Sequence, residues 1–97
     1  MKFEWDEEKN RQNIRKHGVD FDLAKRIFEQ DVITSLDTRY DYGEDREISV
    51  GLVDGVLFLT VVHTDRQANT RRIISARKAT KQERKGYEKA LCTRFKR

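Results

Sequence analysis

The chain has 97 residues, 36% of them hydrophobic and 39% charged, which supports one domain over 1–97 with a single small core and excludes a second. Its net charge of +4 is unevenly spread: Arg66 to Arg97 holds twelve Lys or Arg against two acids, and the remainder holds nine against fifteen. The longest apolar run, Val56 to Val62, is too short to span a bilayer, the lone Cys92 forbids an internal disulfide, and the opening Met1-Lys2-Phe3-Glu4-Trp5-Asp6 turns acidic at once, so a cytoplasmic protein is expected.

Phe3 and Trp5 alternate with polar residues and predict a short strand. Asp6, followed by Glu7 and Glu8, predicts a helix N-cap, and Gly18 a left-handed C-cap just after His17. Ile14 is the one aliphatic residue between them, so light packing is expected of this helix. Asp20 caps a second helix, in which Phe21, Ala24, Ile27 and Phe28 share a face and Val19 is placed to staple onto Ala24. Val32 to Asp37 reads as a strand and Thr38 to Glu44 as an exposed loop.

Arg46 to Val53 and Val56 to Thr64 are β-rich runs joined by Asp54-Gly55, the pair favoured by a two-residue type I′ turn. Thr70 to Ala76 is a further strand after a polar turn. Thr80 with Glu83 forms a capping box for a last helix, on which Tyr87, Leu91 and Phe95 make an apolar stripe. The order is β-α-α-β-β-β-β-α, an α+β class with an antiparallel sheet packed by helices.

A two-residue turn would set Leu52 opposite Leu57, Val50 opposite Leu59, Ile48 opposite Val61 and Arg46 opposite His63. If the next turn is Arg66 to Asn69, His63 also faces Arg72; a one-residue slip brings Arg71 there instead. The expected site is then a row of Arg46, His63 and Arg72 at the rim of the core, with the cations holding the imidazole neutral until a phosphate relieves their repulsion. Two other readings stay open. Asp45, Glu47 or Asp65 can neutralise the arginines while the histidine closes the core, or RNA can lie on the opposite face, with Glu47 as base and Arg71 and Arg77 as phosphate ligands. His17, at a helix C-terminus, is assigned a capping role ahead of a catalytic one. Tyr87 packs, with a hydroxyl that could reach the sheet rim. The basic half suits a polyanion or a solvated helix face, and no dense set of metal ligands is spaced in the chain, so neither metal nor cofactor is expected.

Phe3-Glu4-Trp5-Asp6, then Lys16-His17-Gly18-Val19 leading into Phe21, then Arg72-Ile73-Ile74-Ser75-Ala76-Arg77-Lys78-Ala79 with Glu83-Arg84 and Tyr87, resemble the BrnT toxins over nearly the whole chain. The resemblance implies a RelE-like fold, an endoribonuclease that inhibits translation and growth, and neutralisation by a BrnA-type DNA-binding antitoxin in a heterotetramer with two copies of each protein. It gives Arg72 and Arg77 most weight and Tyr87 less, whereas Arg46 and His63 rest on the strand register alone. RNA supplies its own nucleophile, the 2′-hydroxyl. A base or acid such as His63, charge stabilisation by Arg46, Arg72 and Arg77, and backbone guidance by Arg66, Arg71, Lys78 and Lys81 would complete a metal-independent site. A non-catalytic nucleic-acid-binding module and a partner-docking subunit are the competing readings.

Overall fold

The computed structural model describes residues 1–39, 41 and 43–95, without the side chains of Arg94 and Phe95. Tyr40 and Tyr42 of the expected loop and the Phe95 side chain of the expected stripe lie outside the described residues. The elements are β1 (Lys2–Glu4), α1 (Glu7–His17), α2 (Phe21–Ala24) running into a 3₁₀ helix (Lys25–Glu29), β2 (Ile33–Leu36), β3 (Glu47–Val53), β4 (Leu57–Arg66), β5 (Thr70–Lys78) and α3 (Lys81–Phe95). Among the described residues no helix is long and apolar enough to cross a membrane.

The capping chemistry reads as expected. The Asp6 side chain accepts from the N–H groups of Glu8 and Lys9, and Gly18 closes α1 at φ 71°, donating to the Ile14 carbonyl. Thr80 and Glu83 bond each other's backbone N–H at 2.8 and 3.1 Å. Ile14 is 41% exposed, so apolar burial is not what attaches α1. Two buried asparagines do that. Asn10 accepts from Phe21 N–H at 2.9 Å, while Asn13 accepts from Ala76 N–H at 3.2 Å and donates to Ala76 and Val19 carbonyls at 2.7 and 2.8 Å. An amide side chain thus stands in for a neighbouring strand on β5, beyond the point where β1 ends.

The five strands lie in the order β1-β5-β4-β3-β2. β1 joins β5 in parallel, and the other pairs are antiparallel. The expected register is off by one in both hairpins. Asp54 (φ 55°) and Gly55 (φ 71°) form the expected tight turn, closed by Val56 N–H to the Val53 carbonyl at 3.1 Å. Val56 then stays out of the ladder, 81% exposed, and pairing starts at Val53 with Leu57. The reason is burial: only this offset sends Val53, Leu57, Leu59 and Val61 to the same face. Gly51 arrives there too, at a spot where a Cβ would lie 2.9 Å from the Ile27 Cβ.

The second connection is Gln67-Ala68-Asn69, with Ala68 and Asn69 at φ 60° and 55°. Arg66 therefore pairs with Thr70, Thr64 with Arg72 and His63 with Ile73, and an irregularity follows between Val62 and His63. It leaves Ile74 out of register, so Ser75 pairs with Val62, Ala76 with Val61 and Arg77 with Thr60. One face, with Leu59, Val61, Ile73 and Ala76, packs on Val19, Phe21, Ala24 and Ile27 to form the core. Ile48, Val50 and Leu52, which the expected pairing sets opposite Val61, Leu59 and Leu57, instead share the opposite face with Phe58, Thr60 and Val62. Part of this second face is covered by α3, whose Tyr87 ring meets Phe58 edge-on at 5.6 Å.

Candidate functional site

The row of Arg46, His63 and Arg72 is not formed. The shifted register sets Glu47, not Arg46, opposite His63, and turns Arg72 to the other face opposite Thr64. His63 is 0% exposed; its Nε2 and Ser49 Oγ are hydrogen-bonded at 2.7 Å, and its ring meets Phe28 edge-on at 5.1 Å. A ring so enclosed has no path to a substrate. The expected neutrality does hold, for a different leading reason: burial first, then the nearby Arg71 charge, push the imidazole pKa down to about 4, against a smaller opposing pull from Asp65.

The expected unsatisfied cationic ledge is also absent. Arg72 bonds Glu4 at 2.7 Å, Arg71 grips Asp65 at 2.7 and 3.1 Å while lying over the Phe28 ring, and Arg46 and Arg66 both reach Glu44 at 3.5 Å. Acids answer these arginines, as one of the open readings allowed, but Glu4 and Glu44 do so in place of Asp45 and Glu47, and Asp65 serves Arg71. Tyr87 is buried and its hydroxyl donates to the Asp31 carbonyl at 3.0 Å, a packing role rather than a rim acid. Lys78 and Lys81 are exposed, and Lys81 lines a shallow groove with Arg84 and Lys85.

A different cluster does form, on the face opposite the core. The C-terminal end of α1 brings Lys16 and His17 to the β5 edge, and the segment after β2 brings Arg39. With Arg77 they wall a cavity of about 300 Å³ floored by Ile48, Thr60, Val62 and Ser75. Each guanidinium is oriented from behind. Arg39 is held by two bonds of 2.9 Å to Asp37, whose side chain is fully buried, and Arg77 by bonds of 2.7 and 2.9 Å to Glu83. Glu83 also accepts from Thr60 Oγ1 at 3.0 Å and from Thr80 N–H at 2.8 Å. Arg77 chiefly, with the Thr80 and Thr60 bonds, outweighs partial burial and holds the Glu83 carboxyl at about 2. Its fork is therefore fully ionised, and Arg77 is correspondingly more basic despite the opposing charge of Arg39. The cavity offers an imidazole, two pre-oriented guanidiniums, an ammonium and two hydroxyls, a set suited to a phosphodiester.

Two of the stretches that carry the sequence resemblance, Lys16-His17-Gly18 and Ser75-Ala76-Arg77, meet in this cavity. Residues 5–83 match the family model described as "Ribonuclease toxin, BrnT, of type II toxin-antitoxin system". The chain belongs to the BrnT family. It is thus a member of an endoribonuclease toxin family, whose type II organisation implies an antitoxin partner and an RNA substrate. The crystal structure of the Brucella abortus ribonuclease toxin BrnT is similar at 29% identity, covering 84% of this chain and 99% of that one with a TM-score of 0.63. Comparison with curated protein sequences gives no match. The matched region of this BrnT chain contains every residue that walls or floors the cavity.

Of the residues around this cavity, sequence reasoning singles out Arg77 as a site residue and not its neighbours. His17 reads as a helix terminus, Glu83 as a capping residue and Arg39 as loop, and each of those local readings is also true. The usable signal was that Lys16-His17-Gly18 and Ser75-Ala76-Arg77 both carry the family likeness, which makes their meeting worth expecting.

Proposed function

We propose that this BrnT chain cleaves RNA in the cavity walled by His17, Arg39 and Arg77, by metal-independent attack of a 2′-hydroxyl on the adjacent phosphate. The observation that carries the reading is the meeting of the two resemblance-bearing stretches around an imidazole and two guanidiniums. His17 takes the 2′-hydroxyl proton as the O2′–P bond forms. Arg39, Arg77 and Lys16 stabilise the charge gathering on the phosphorane oxygens. The P–O5′ bond then breaks and the leaving oxygen takes a proton from solvent water, leaving a 2′,3′-cyclic phosphate and a 5′-hydroxyl. Lys78, Lys81 and Arg66 are assigned the electrostatic guidance of the strand. Release of the toxin halts growth, and a BrnA-type antitoxin neutralises it in an assembly with two copies of each chain.

The test is cleavage of a defined RNA by the purified chain in EDTA. Expected are products ending in cyclic phosphate, with rates reduced about 100-fold or more by Arg39→Ala and by Arg77→Ala, of the order seen when a transition-state donor is removed. Circular dichroism checks that both variants fold. Folded variants at both positions that cleave at the original rate, and still arrest growth on expression, would place the chemistry elsewhere. Salt-sensitive RNA binding without products would favour a non-catalytic module.

A further inference from the structure

The same register that removes His63 from the RNA side gives it different company. On the core face, at the sheet end remote from the β3–β4 turn, Glu47 pairs directly with His63, and Asp65 lies two residues further along β4 on that face. One ring nitrogen of His63 and carboxylate oxygens of Glu47 and Asp65 lie within 4.8 Å of one another. Nε2 is engaged by Ser49 Oγ, which in turn is bonded to Thr34 Oγ1 at 2.7 Å. Nδ1 is buried and has no hydrogen-bond partner among the described residues. A proton on Nδ1 would be a buried donor without an acceptor, so the ring proton belongs on Nε2, where it has one, and Nδ1 carries a lone pair. Nor does the Glu47 carboxylate have a hydrogen bond or ion pair among the described residues.

We propose that Glu47, His63 and Asp65 bind a first-row divalent transition-metal ion of the zinc type, separately from the RNA site on the other face of the sheet. The donor set is one imidazole nitrogen and two carboxylate oxygens, which suits Zn²⁺ or Co²⁺ and disfavours Mg²⁺. The hydrogen bond from Nε2 to Ser49 supplies the outer partner that orients a ligating histidine. Metal–ligand distances of about 2.0–2.2 Å put ligand atoms roughly 3.3 Å apart, so the two carboxylates must close in by up to about 1.5 Å. That motion is open to them, since Glu47 is half-buried and Asp65 exposed. Arg71 occupies part of the Asp65 carboxylate and lowers its affinity for a cation, but a carboxylate keeps lone pairs beyond those two bonds. Glu47 and Asp65 line a cavity of about 520 Å³, together with Glu44 and Asp45, so the carboxylate side of the trio has room for the remaining water ligands. The bound ion would pin the start of β3 to the end of β4.

Titration calorimetry of the EDTA-treated, dialysed full chain with Zn²⁺ alone, and Co²⁺ absorption spectra, test this directly. Expected are one ion per chain, a rise in Tm with added Zn²⁺, and affinity lowered tenfold or more by Glu47→Gln and by Asp65→Asn, both solvent-reaching positions where the fold survives. His17→Ala, which removes the other imidazole, should leave binding unchanged. Absence of binding, or binding that survives both carboxamide variants, or binding lost with His17→Ala instead, overturns the site. Cleavage in EDTA is unaffected by any of these results, so the two proposals fail independently.

Discussion

His17 and His63 are the only histidines in the chain, and they lie on opposite sides of one sheet. His17 ends α1 at the rim of an open cavity with two guanidiniums for neighbours. His63 sits within the core, on Phe28 and Ser49, with the nearby cation Arg71 tied to Asp65. The same side chain is thus half-exposed beside an open cavity in one place and sealed inside the core in the other. Surroundings decide this, since a helix end leaves an imidazole half in solvent whereas a β-strand interior under a helix removes it.

The sharpest way to break that contrast is to delete each imidazole in turn. His17→Ala should reduce RNA cleavage by about 10²–10⁴-fold, the usual contribution of a positioned acid or base. Its thermal midpoint should change little, because His17 contributes no buried contact to the core cluster. Full activity in a folded His17→Ala variant would mean that the two histidines do not divide the work in this way.

His63 should show itself through stability and pH instead. Its folded pKa of about 4 lies below the ordinary 6.5, because burial and Arg71 disfavour the imidazolium. Between those values the unfolded chain holds more protons, so stability is complete above pH 6.5 and falls as the pH drops toward 4. The loss amounts to about 3 kcal/mol across the window. Glu83 adds its own loss at lower pH, as its carboxyl leaves the ordinary 4.5 and approaches its folded value of about 2. Urea unfolding in metal-free buffer at several pH values should therefore give a slope between pH 6.5 and 4.5 that His63→Gln largely abolishes. An unchanged slope in that variant would assign the titration to another group.

Much of the fold was legible because its signals are local. Asp6, Gly18, Asp20, the Asp54-Gly55 turn and the Thr80–Glu83 box each act over a few residues, and each does what its chemistry requires. The attachment of α1 was not legible, since Asn13 works through a bond to Ala76, a contact that no spacing rule encodes. Nor was the site. A cavity assembled from α1, the segment after β2 and β5 depends on which face each strand presents, and a single unpaired residue reverses that. With Val56 in the ladder, Arg46 would meet His63; with Val56 outside it, His63 meets Glu47 and enters the core.

That residue supplies the smallest predicted effect and a direct check on the register. In the expected pairing Val56 stands opposite Val53, which is buried, so a charge there would disturb the ladder beside the core. In the observed one Val56 projects into solvent from the turn, and its N–H bond to Val53 is a backbone bond that any side chain permits except proline. Val56→Lys should therefore shift unfolding stability by no more than about 0.5 kcal/mol, as surface substitutions do. A loss of several times that amount would return Val56 to the ladder and exchange the surroundings of the two faces, with Arg46 again beside His63.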